Sequence, residues 1–403
     1  MDTDQKAPTG PLADIRVVEM GTLIAGPFCG QVLGDFGAEV IKIEDPAAGD
    51  PMRGWGRSMP KGHSPWWPVI GRNKKSITLN LRTQEGQDLA RKLIDKSDVL
   101  VENFRPGTLE KWGLGYEALS KTNPGLILNR ASGYGQTGPM SHKAGYALVG
   151  EAMGGLRYIT GEPDRPPARA GISIGDSLAG LHGALGVMMA LHARQASGRG
   201  QVIDVSIYES VLTVMENAIT EYDLTGYVRE RSGSILPGIA PSNAYPTLDA
   251  MVVIGANQDT LFSRLCEVMK RPDLAADPRY KTHLGRGENQ KELDDIIGAW
   301  TATQTTDAVL ALMDEYGIAA GRVYRPQDMM TDPQYQARES IVSVPHPVFG
   351  QVKMQNVFPK MSETPGSVRW PGEGLGAHTD EVLMQVADLS ADEVADLRKR
   401  GIV

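Results

Sequence analysis

The chain has 403 residues, of which 41% are hydrophobic and 22% are charged. At about 100 to 200 residues per domain, this length predicts two or three domains. The composition excludes a disordered chain, a coiled coil and a small disulfide-stapled scaffold. The net charge of -8, from 49 acidic and 41 basic residues, argues against a dedicated nucleic-acid-binding protein.

Cysteine content and the N-terminus indicate a protein of the reducing cytoplasm. Cys29 and Cys266 are far apart, so neither a disulfide framework nor a metal site is predicted. The start, MDTDQKAPTG, lacks the basic region and apolar segment of a secretory signal. The apolar run over residues 178–191 is shorter than the roughly 20 residues that span a bilayer, so no membrane partner is predicted.

Apolar strands alternate with helices in the first third of the chain. This order predicts an α/β fold with a parallel sheet and helices on both faces. Such sheets bind ligands at the carboxyl ends of their strands. The predicted elements are strand 16–19, helix 26–36, strand 40–44, strand 76–79, helix 84–97, strand 99–102, helix 116–121 and strand 126–131.

Glycines and prolines interrupt this pattern near residue 224 and predict a domain boundary there. We predict a large domain over residues 1–223, a smaller α/β domain over 224–330, and a C-terminal segment, 331–403, that returns to the large domain. The elements predicted after the boundary are strand 251–255, helices 258–269, 290–300 and 306–316, strands 342–344 and 351–357, and helix 380–386.

Residues 51–75 hold six basic side chains and no acidic one. Together with Trp55, Trp66 and Trp67, this composition suits a ligand that carries phosphates and a flat base. A solvated loop with aromatic anchors is an equally good interpretation. The basic residues are Arg53, Arg57, Lys61, Arg72, Lys74 and Lys75.

Asp176 stands before an apolar helix rich in alanine and glycine. The ordinary interpretation is a helix N-cap, since aspartate is a preferred capping residue. The alternative is a carboxylate nucleophile in an exposed turn. His182 and His192, within the helix, are interpreted as core residues, and no catalytic triad, HExxH or P-loop string is present.

Ordered strings along the chain are similar to those of the class III CoA-transferases, the CaiB/BaiF family. Each string is weak alone, but their order and spacing hold from about residue 12 to the C-terminus. They are IAGP (24–27), LGDFGAEVIKIE (33–44), NKKS (73–76), VENFRPG (101–107), GYGQTGP (133–139), GRGQ (198–201), DPRY (277–280) and GAHT (376–379).

The resemblance implies a Rossmann-like large domain, a smaller α/β domain and an interlocked homodimer. It also implies that Asp176 attacks an acyl-CoA thioester, giving an aspartyl anhydride and then an aspartyl-CoA thioester, from which a small carboxylic acid takes CoA. Acyl-CoA is then a substrate, with no tightly bound cofactor. A mobile loop containing Gly233 and Gly238 would cover the site.

The resemblance further implies a set of CoA-contacting positions. They are Leu23, Ile24, Arg53, Asn73, Lys74, Leu79, Arg82, Asn103, Phe104, Arg105, Lys111, Lys143 and Tyr146.

Two positions depart from the family pattern. Asp45 replaces a basic residue of some relatives, and Ala147 replaces an acid of many. The racemase branch has a Gly-His-Asp string where this chain reads Gly145-Tyr146-Ala147, which favours the transferase. We predict CoA transfer with succinyl-CoA or a similar dicarboxylyl-CoA as donor; a 2-methylacyl-CoA racemase and a catalytically silent CoA-binding protein are the alternatives.

Overall fold

The computed structural model describes residues 10–403, which form two compact units. The first unit comprises three segments, which are the chain up to Arg157, Ala170–Gly226 and Ala337–Val403. The second unit comprises Tyr158–Arg169 and Tyr227–Gln336. The prediction of no secretory signal falls mainly on residues 1–9, outside the described residues. The functional assignment of residues 1–223, 224–330 and 331–403 stays a prediction.

A six-stranded parallel sheet forms the centre of the first unit and confirms the predicted α/β fold. Its strand order is β3-β2-β1-β4-β5-β6. Of the six strands of this sheet, sequence analysis missed only β6, an edge strand whose first residues are exposed and do not form an apolar run. The strands are β1 (Arg16–Glu19), β2 (Glu39–Glu44), β3 (Lys74–Thr78), β4 (Val99–Glu102), β5 (Ile127–Ser132) and β6 (Val202–Ser206).

Helices cover both faces of this sheet, as in other parallel sheets. Pro51–Gly54 and Pro60–Gly62 form short 3-10 helices. The α-helices up to the second half of the chain are α1 (Ala25–Asp35), α2 (Trp67–Ile70), α3 (Gln84–Asp95), α4 (Thr108–Lys111), α5 (Tyr116–Leu119), α6 (Ala147–Met153), α7 (Leu156–Ile159), α8 (Ile174–Ser197), α9 (Ile207–Leu212) and α10 (Ala218–Thr225).

The second unit contains a three-stranded antiparallel sheet of order β7-β8-β9. Tyr245, Phe262 and Leu293 belong to its separate apolar core. Its elements are β7 (Ser242–Pro246), β8 (Met251–Gly255), α11 (Asp259–Val268), α12 (Pro272–Ala276), α13 (His283–Glu288), α14 (Gln290–Thr301), α15 (Thr306–Glu315), β9 (Ala319–Arg322) and α16 (Pro326–Thr331).

The C-terminal segment completes one core of the first unit. Val382 and Leu383 pack in the same apolar cluster as Ile77 and Leu89. The last elements are α17 (Pro333–Ala337), the antiparallel pair β10 (Ile341–His346) and β11 (Gly350–Gln355), α18 (Thr379–Gln385) and α19 (Ala391–Lys399).

The sheet has a topological switch point between β1 and β4. Successive strands leave β1 in opposite directions, so the loops after β1 and β4 diverge and leave a crevice at the carboxyl edge. Adjacent residues of β1 belong to different cores on opposite faces of the sheet. Val17 packs in the cluster with α1 and α8, and Val18 packs in the cluster with α3. Strands buried on both faces require such continuous apolar runs.

Helix α8 has 24 residues, more than the apolar run predicted from the sequence. Of the described helices it alone is long and apolar enough to cross a membrane by length and composition. Core helices pass the same test, and Ala179, Gly183 and Val187 on its buried face pack within the first unit. The expectation that this apolar segment is too short to span a bilayer was therefore wrong. The absence of a membrane partner stays a prediction.

Gly180 allows α8 to pack closely on α1. A Cβ added at Gly180 would lie 2.9 Å from the Ala25 carbonyl oxygen and 2.9 Å from Phe28 Cβ. We expect Gly180→Ala to lower the free energy of unfolding by about 1–3 kcal/mol, because overpacking outweighs the gain in helix propensity. Tryptophan fluorescence in urea measures this; Gly374→Ala is the control, since no atom lies within 4 Å of its added Cβ.

Candidate active site

A first cavity, of about 280 Å³, opens at the carboxyl edge of the sheet. Leu79, Arg82 and Phe104, three of the predicted site residues, line it together. Trp112 also lines it and packs edge-on against Phe104, with ring centroids 5.2 Å apart. This cavity therefore offers apolar and aromatic surface for a flat group.

Asp45 lines the same cavity and forms an ion pair with Arg82 at 3.4 Å between Oδ2 and Nη1. The pair is open to solvent, with 83% of the Arg82 side chain exposed. An exposed pair of this kind has a small free energy, so Arg82 is able to exchange Asp45 for a stronger anion. Arg82 thus neutralises the negative charge of Asp45, the residue that departs from the family pattern.

A second cavity, of about 240 Å³, adjoins the first through Phe104, which lines both. It contains four more predicted site residues, Asn103, Arg105, Lys143 and Tyr146. Among the described residues that line it there are two cations and no carboxylate. This local charge suits phosphate groups in a protein that is acidic overall.

A third cavity, of about 580 Å³, is largely apolar and brings the predicted residue Ile24 to the start of α8. Ser173 and Ser177, which flank Asp176 along the chain, line this cavity with Ile24 and Trp66. The β1–α1 loop and the turn of Asp176 therefore border one cavity.

Asp176 lies in the first turn of α8, which begins at Ile174. The N-cap interpretation is therefore wrong, because the carboxylate belongs to a residue inside the helix. In the first turn, a carboxylate is stabilised by the positive end of the helix dipole.

The turn of Asp176 is tightly packed at the adjacent residue, Gly175. A Cβ added at Gly175 would lie 3.0 Å from Ile207 Cγ2 and 3.2 Å from Cγ of Glu151, a buried residue paired with Arg157. The Ala147 carbonyl oxygen would lie 3.5 Å from the same Cβ. Tyr146, which directly precedes Ala147, lines the second cavity. The chain at Tyr146 and Ala147 therefore connects that cavity with the turn of Asp176.

The basic stretch over residues 51–75 is not an open anion site, which corrects one of the two interpretations. Four of its six cations are paired with carboxylates from other segments, and the other two, Arg57 and Lys61, are exposed. The ion pairs are Arg53 with Glu44, Arg72 with Asp35, Lys74 with Glu19, and Lys75 with Glu39 and Glu381.

Three predicted CoA-contacting residues in this stretch support the fold. Asn73 is fully buried, and its Nδ2 donates to Asp35 Oδ1 at 2.7 Å. Lys74 is 2% exposed and donates to the Pro27 carbonyl oxygen at 2.6 Å. Arg53 stacks 3.7 Å above the ring of Trp67 while paired with Glu44. The structure thus departs from the expectation that these side chains face the ligand.

Lys111 is the last residue of α4 and is exposed outside the three cavities, although its neighbour Trp112 lines the first. Gly233 and Gly238 belong to the second unit. Both have positive φ, and their N–H groups donate to the Gly161 carbonyl oxygen at 2.9 Å and to Gln290 Oε1 at 3.1 Å. A mobile role for this loop stays a prediction.

Sequence analysis missed Lys42 and Asp50, which also line the first cavity. The signal was present: Lys42 and Glu44 occupy a central parallel strand, where apolar residues are the rule. Charged residues that must be buried require partners, and the chain offers further carboxylates at Asp45 and Asp50. No group of three or more His, Cys, Asp or Glu side chains within residues 10–403 is arranged to hold a metal ion.

Comparison with known proteins gives a consistent result. The sequence profile described as CoA-transferase family III matches residues 12–379. The chain is 57% identical over 397 residues to succinyl-CoA–D-citramalate CoA-transferase of Chloroflexus aurantiacus, covering 98% of this chain and 99% of the relative. It is 41% identical over 396 residues to the succinyl-CoA–L-malate CoA-transferase alpha subunit of Chloroflexus aurantiacus, covering 98% and 92%.

The fold is similar to that of a solved structure. The crystal structure of a CaiB/BaiF family protein from Brucella suis superposes with a TM-score of 0.85 at 32% sequence identity, covering 94% of this chain and 100% of that chain.

Proposed function

We propose that this chain, which belongs to CoA-transferase family III and is an enzyme of the CoA-transferase type, moves CoA from succinyl-CoA to a small hydroxydicarboxylic acid. The donor follows from the similarity to two succinyl-CoA-dependent relatives, whose named acceptors are D-citramalate and L-malate. Both acceptors are butanedioates with a 2-hydroxyl group, and citramalate carries an additional 2-methyl group. We take D-citramalate as the first acceptor to test.

The observation that carries the proposal is the pair of adjoining cavities connected to the turn of Asp176. In this proposal the first cavity, with Phe104 and Trp112, accepts the adenine ring. Arg105 and Lys143 in the second cavity neutralise the CoA phosphates. The pantetheine arm then follows the chain at Tyr146 towards the carboxylate of Asp176.

The reaction is a series of acyl transfers on Asp176. An Oδ atom of Asp176 bonds to the thioester carbonyl carbon, the C–S bond breaks, and CoA thiolate and a succinyl-aspartyl anhydride result. The thiolate attacks the aspartyl carbonyl carbon, releases succinate and leaves an aspartyl-CoA thioester. The acceptor carboxylate displaces CoA from this thioester, and the returning thiolate attacks the acceptor's acyl carbon, which regenerates Asp176.

Oxyanions form at each carbonyl carbon in this sequence, and N–H donors aimed at them lower the barriers. An anhydride is rapidly hydrolysed in water, so the site must exclude solvent while it exists. We propose that the loop with Gly233 and Gly238 supplies this shielding, as the resemblance to the family implies.

The test is transfer of CoA in a defined mixture. The purified protein is incubated with succinyl-CoA and D-citramalate, L-malate, glutarate or acetate, and new thioesters are identified by mass. We expect the hydroxydicarboxylates to give CoA esters and acetate to give none. Failure to form a thioester with any of the four acids would overturn the proposal.

We also propose that the chain acts as an interlocked homodimer in the cytoplasm. Leu181, Leu185, Met188 and Met189 form an exposed apolar stripe on α8, at the i, i+4, i+7 and i+8 positions. Helix α10 also exposes large apolar side chains. Exposed apolar surface of this kind is characteristic of an interface, and a second copy would cover it.

The racemase alternative has less support. Tyr146 and Ala147 provide neither a histidine nor an acid beside the second cavity, and Ala147 is buried. Solvent deuterium incorporated at the α-carbon of a 2-methylacyl-CoA would favour the racemase over the transferase. Binding of CoA without turnover on the acid panel would favour the catalytically silent protein.

A further inference from the structure

We propose that Lys42, Asp50 and Asn103 are positioning residues that hold the β1–α1 turn, residues 21–23, in the conformation that binds CoA. The proposal rests on the proposed function above. It assigns a role to Lys42 and Asp50, to which the family resemblance gave none, and it changes the role of Asn103 from ligand contact to support of the turn.

Four consecutive polar groups of the turn's backbone are bonded to these three side chains. The amide of Asn103 forms two bonds with Thr22: Oδ1 accepts the Thr22 N–H at 2.7 Å, and Nδ2 donates to the Thr22 carbonyl oxygen at 2.7 Å. Lys42 Nζ donates to the Gly21 carbonyl oxygen, and the Leu23 N–H donates to Asp50 Oδ1 at 3.2 Å. Side chains outside the turn thus bond four of its backbone polar groups.

This conformation requires external support because Leu23 has φ = +65°. A non-glycine residue in the left-handed region is strained, and such strain persists only where the surroundings fix it. Leu23 is followed by Ile24 of the third cavity and preceded by Thr22 of the first. A relaxed turn would therefore alter both cavities at once.

The three side chains come from both sides of the switch point. Lys42 is on β2, Asp50 follows β2, and Asn103 follows β4. The double hydrogen bond of Asn103 ties together the loops that diverge after β1 and β4. It therefore fixes the width of the crevice in which this fold class binds ligands.

Electrostatics hold Lys42 and Asp50 in place. Lys42 Nζ lies 2.8 Å from Asp50 Oδ2 and 3.0 Å from Glu19 Oε1, and the side chains of Lys42 and Asp50 are each 1% exposed. Burial favours the protonated acid, but the charge of Lys42 and the N–H groups of Met52 and Leu23 hold the pKa of Asp50 below its usual value. Both groups are charged, and their burial makes them supports of the turn rather than surfaces for the ligand.

The experiment compares Asp50→Asn, Asn103→Asp and the double variant with the wild-type protein. Asp50→Asn places an amide N–H group against Lys42; Asn103→Asp places an oxygen against the Thr22 carbonyl oxygen. Calorimetry gives the Kd for CoA, and steady-state assays with succinyl-CoA give KM and kcat. We expect each variant to raise Kd and KM about tenfold to a hundredfold, with a smaller change in kcat.

Asp98→Asn is the matched control. Asp98 precedes β4 at the opposite edge of the sheet, where it accepts the Arg16 N–H at 2.8 Å and pairs with Arg194 at 2.9 Å. A purely structural loss lowers the amount of active enzyme and hence the apparent kcat, without moving KM. We expect Asp98→Asn to show that behaviour.

The double variant separates positioning from direct contact. If Asp50 and Asn103 support one turn, the increase in Kd of the double variant is smaller than the product of the two single increases. A full product indicates two independent ligand contacts and overturns the proposal. The proposal is also overturned if Asp50→Asn and Asp98→Asn have the same Kd for CoA while the wild-type protein still transfers CoA. If the wild-type protein does not bind CoA at all, the proposed function is overturned as well.

Discussion

Replacing Asp176 with asparagine is expected to lower the rate of CoA transfer by at least about a thousandfold, the order of loss seen when an enzyme's covalent nucleophile is removed. The amide has the shape of the carboxylate but cannot form the anhydride. The Kd for CoA should change little, because the cavities that we assign to CoA are lined by other residues. Transfer from succinyl-CoA to D-citramalate and calorimetry with CoA measure the two quantities.

The covalent intermediate can be assigned to one residue by mass. Trypsin releases residues 170–194 as one peptide, in which Asp176 is the only acidic residue. The wild-type protein, quenched with hydroxylamine after incubation with succinyl-CoA, should carry a hydroxamate on this peptide. Asp392→Asn, which changes a first-turn carboxylate of α19, is the control and should keep full activity. Full activity of Asp176→Asn, or a hydroxamate found only on another peptide, would refute the mechanism.

The parallel sheet was predictable because its strands are buried on both faces. The predicted bounds of β1 and β4 agree with those observed, since each contains consecutive buried valine or leucine residues followed by a glutamate. The start of β6 was not predictable from the same signal, because an edge strand buries less of its surface. The family resemblance is confirmed by the match over residues 12–379.

The candidate site was predictable only in part. Asn103 and Arg105 follow β4, and their position at the carboxyl end of a parallel strand favours functional groups there, with a structural turn as the alternative; both line the second cavity. The burial of Lys74 was not predictable, because its partner Glu19 lies on β1, far away in the sequence. Composition shows how many charges a segment carries, but only the tertiary fold shows which of them are already paired.

Replacing Glu19 with glutamine is expected to lower the free energy of unfolding by about 3 to 5 kcal/mol, the cost of removing one partner from a buried ion pair. Glu19 is fully buried; its Oε1 lies 3.0 Å from Lys42 Nζ and its Oε2 lies 2.8 Å from Lys74 Nζ. Asp50 remains beside Lys42, so Lys74 loses more of its countercharge. Tryptophan fluorescence during unfolding in urea measures this change, since five of the six tryptophans lie in the first unit.

The exposed pair of Lys96 and Asp388 provides the control. Asp388→Asn should change the free energy of unfolding by less than about 1 kcal/mol, as is usual for surface ion pairs. Equal effects of the two substitutions would show that the buried cluster contributes no more than a surface contact. This outcome would also remove the electrostatic reason for the fixed position of Lys42.

The loss in Glu19→Gln should also depend on pH, because Lys74 then lacks the carboxylate that favours its charge. Burial already lowers the pKa of Lys74 against the attraction of Glu19, and removal of Glu19 lowers it further. The unfolded chain, with a lysine pKa of about 10.4, then binds more protons than the folded chain in the range between the two pKa values. Stability therefore rises with pH in that range, which is wider for the variant than for the wild type. The difference between them should therefore shrink as the pH rises towards the pKa of the unfolded lysine. A difference that stays constant with pH would show that Lys74 keeps its proton and that another group compensates for Glu19.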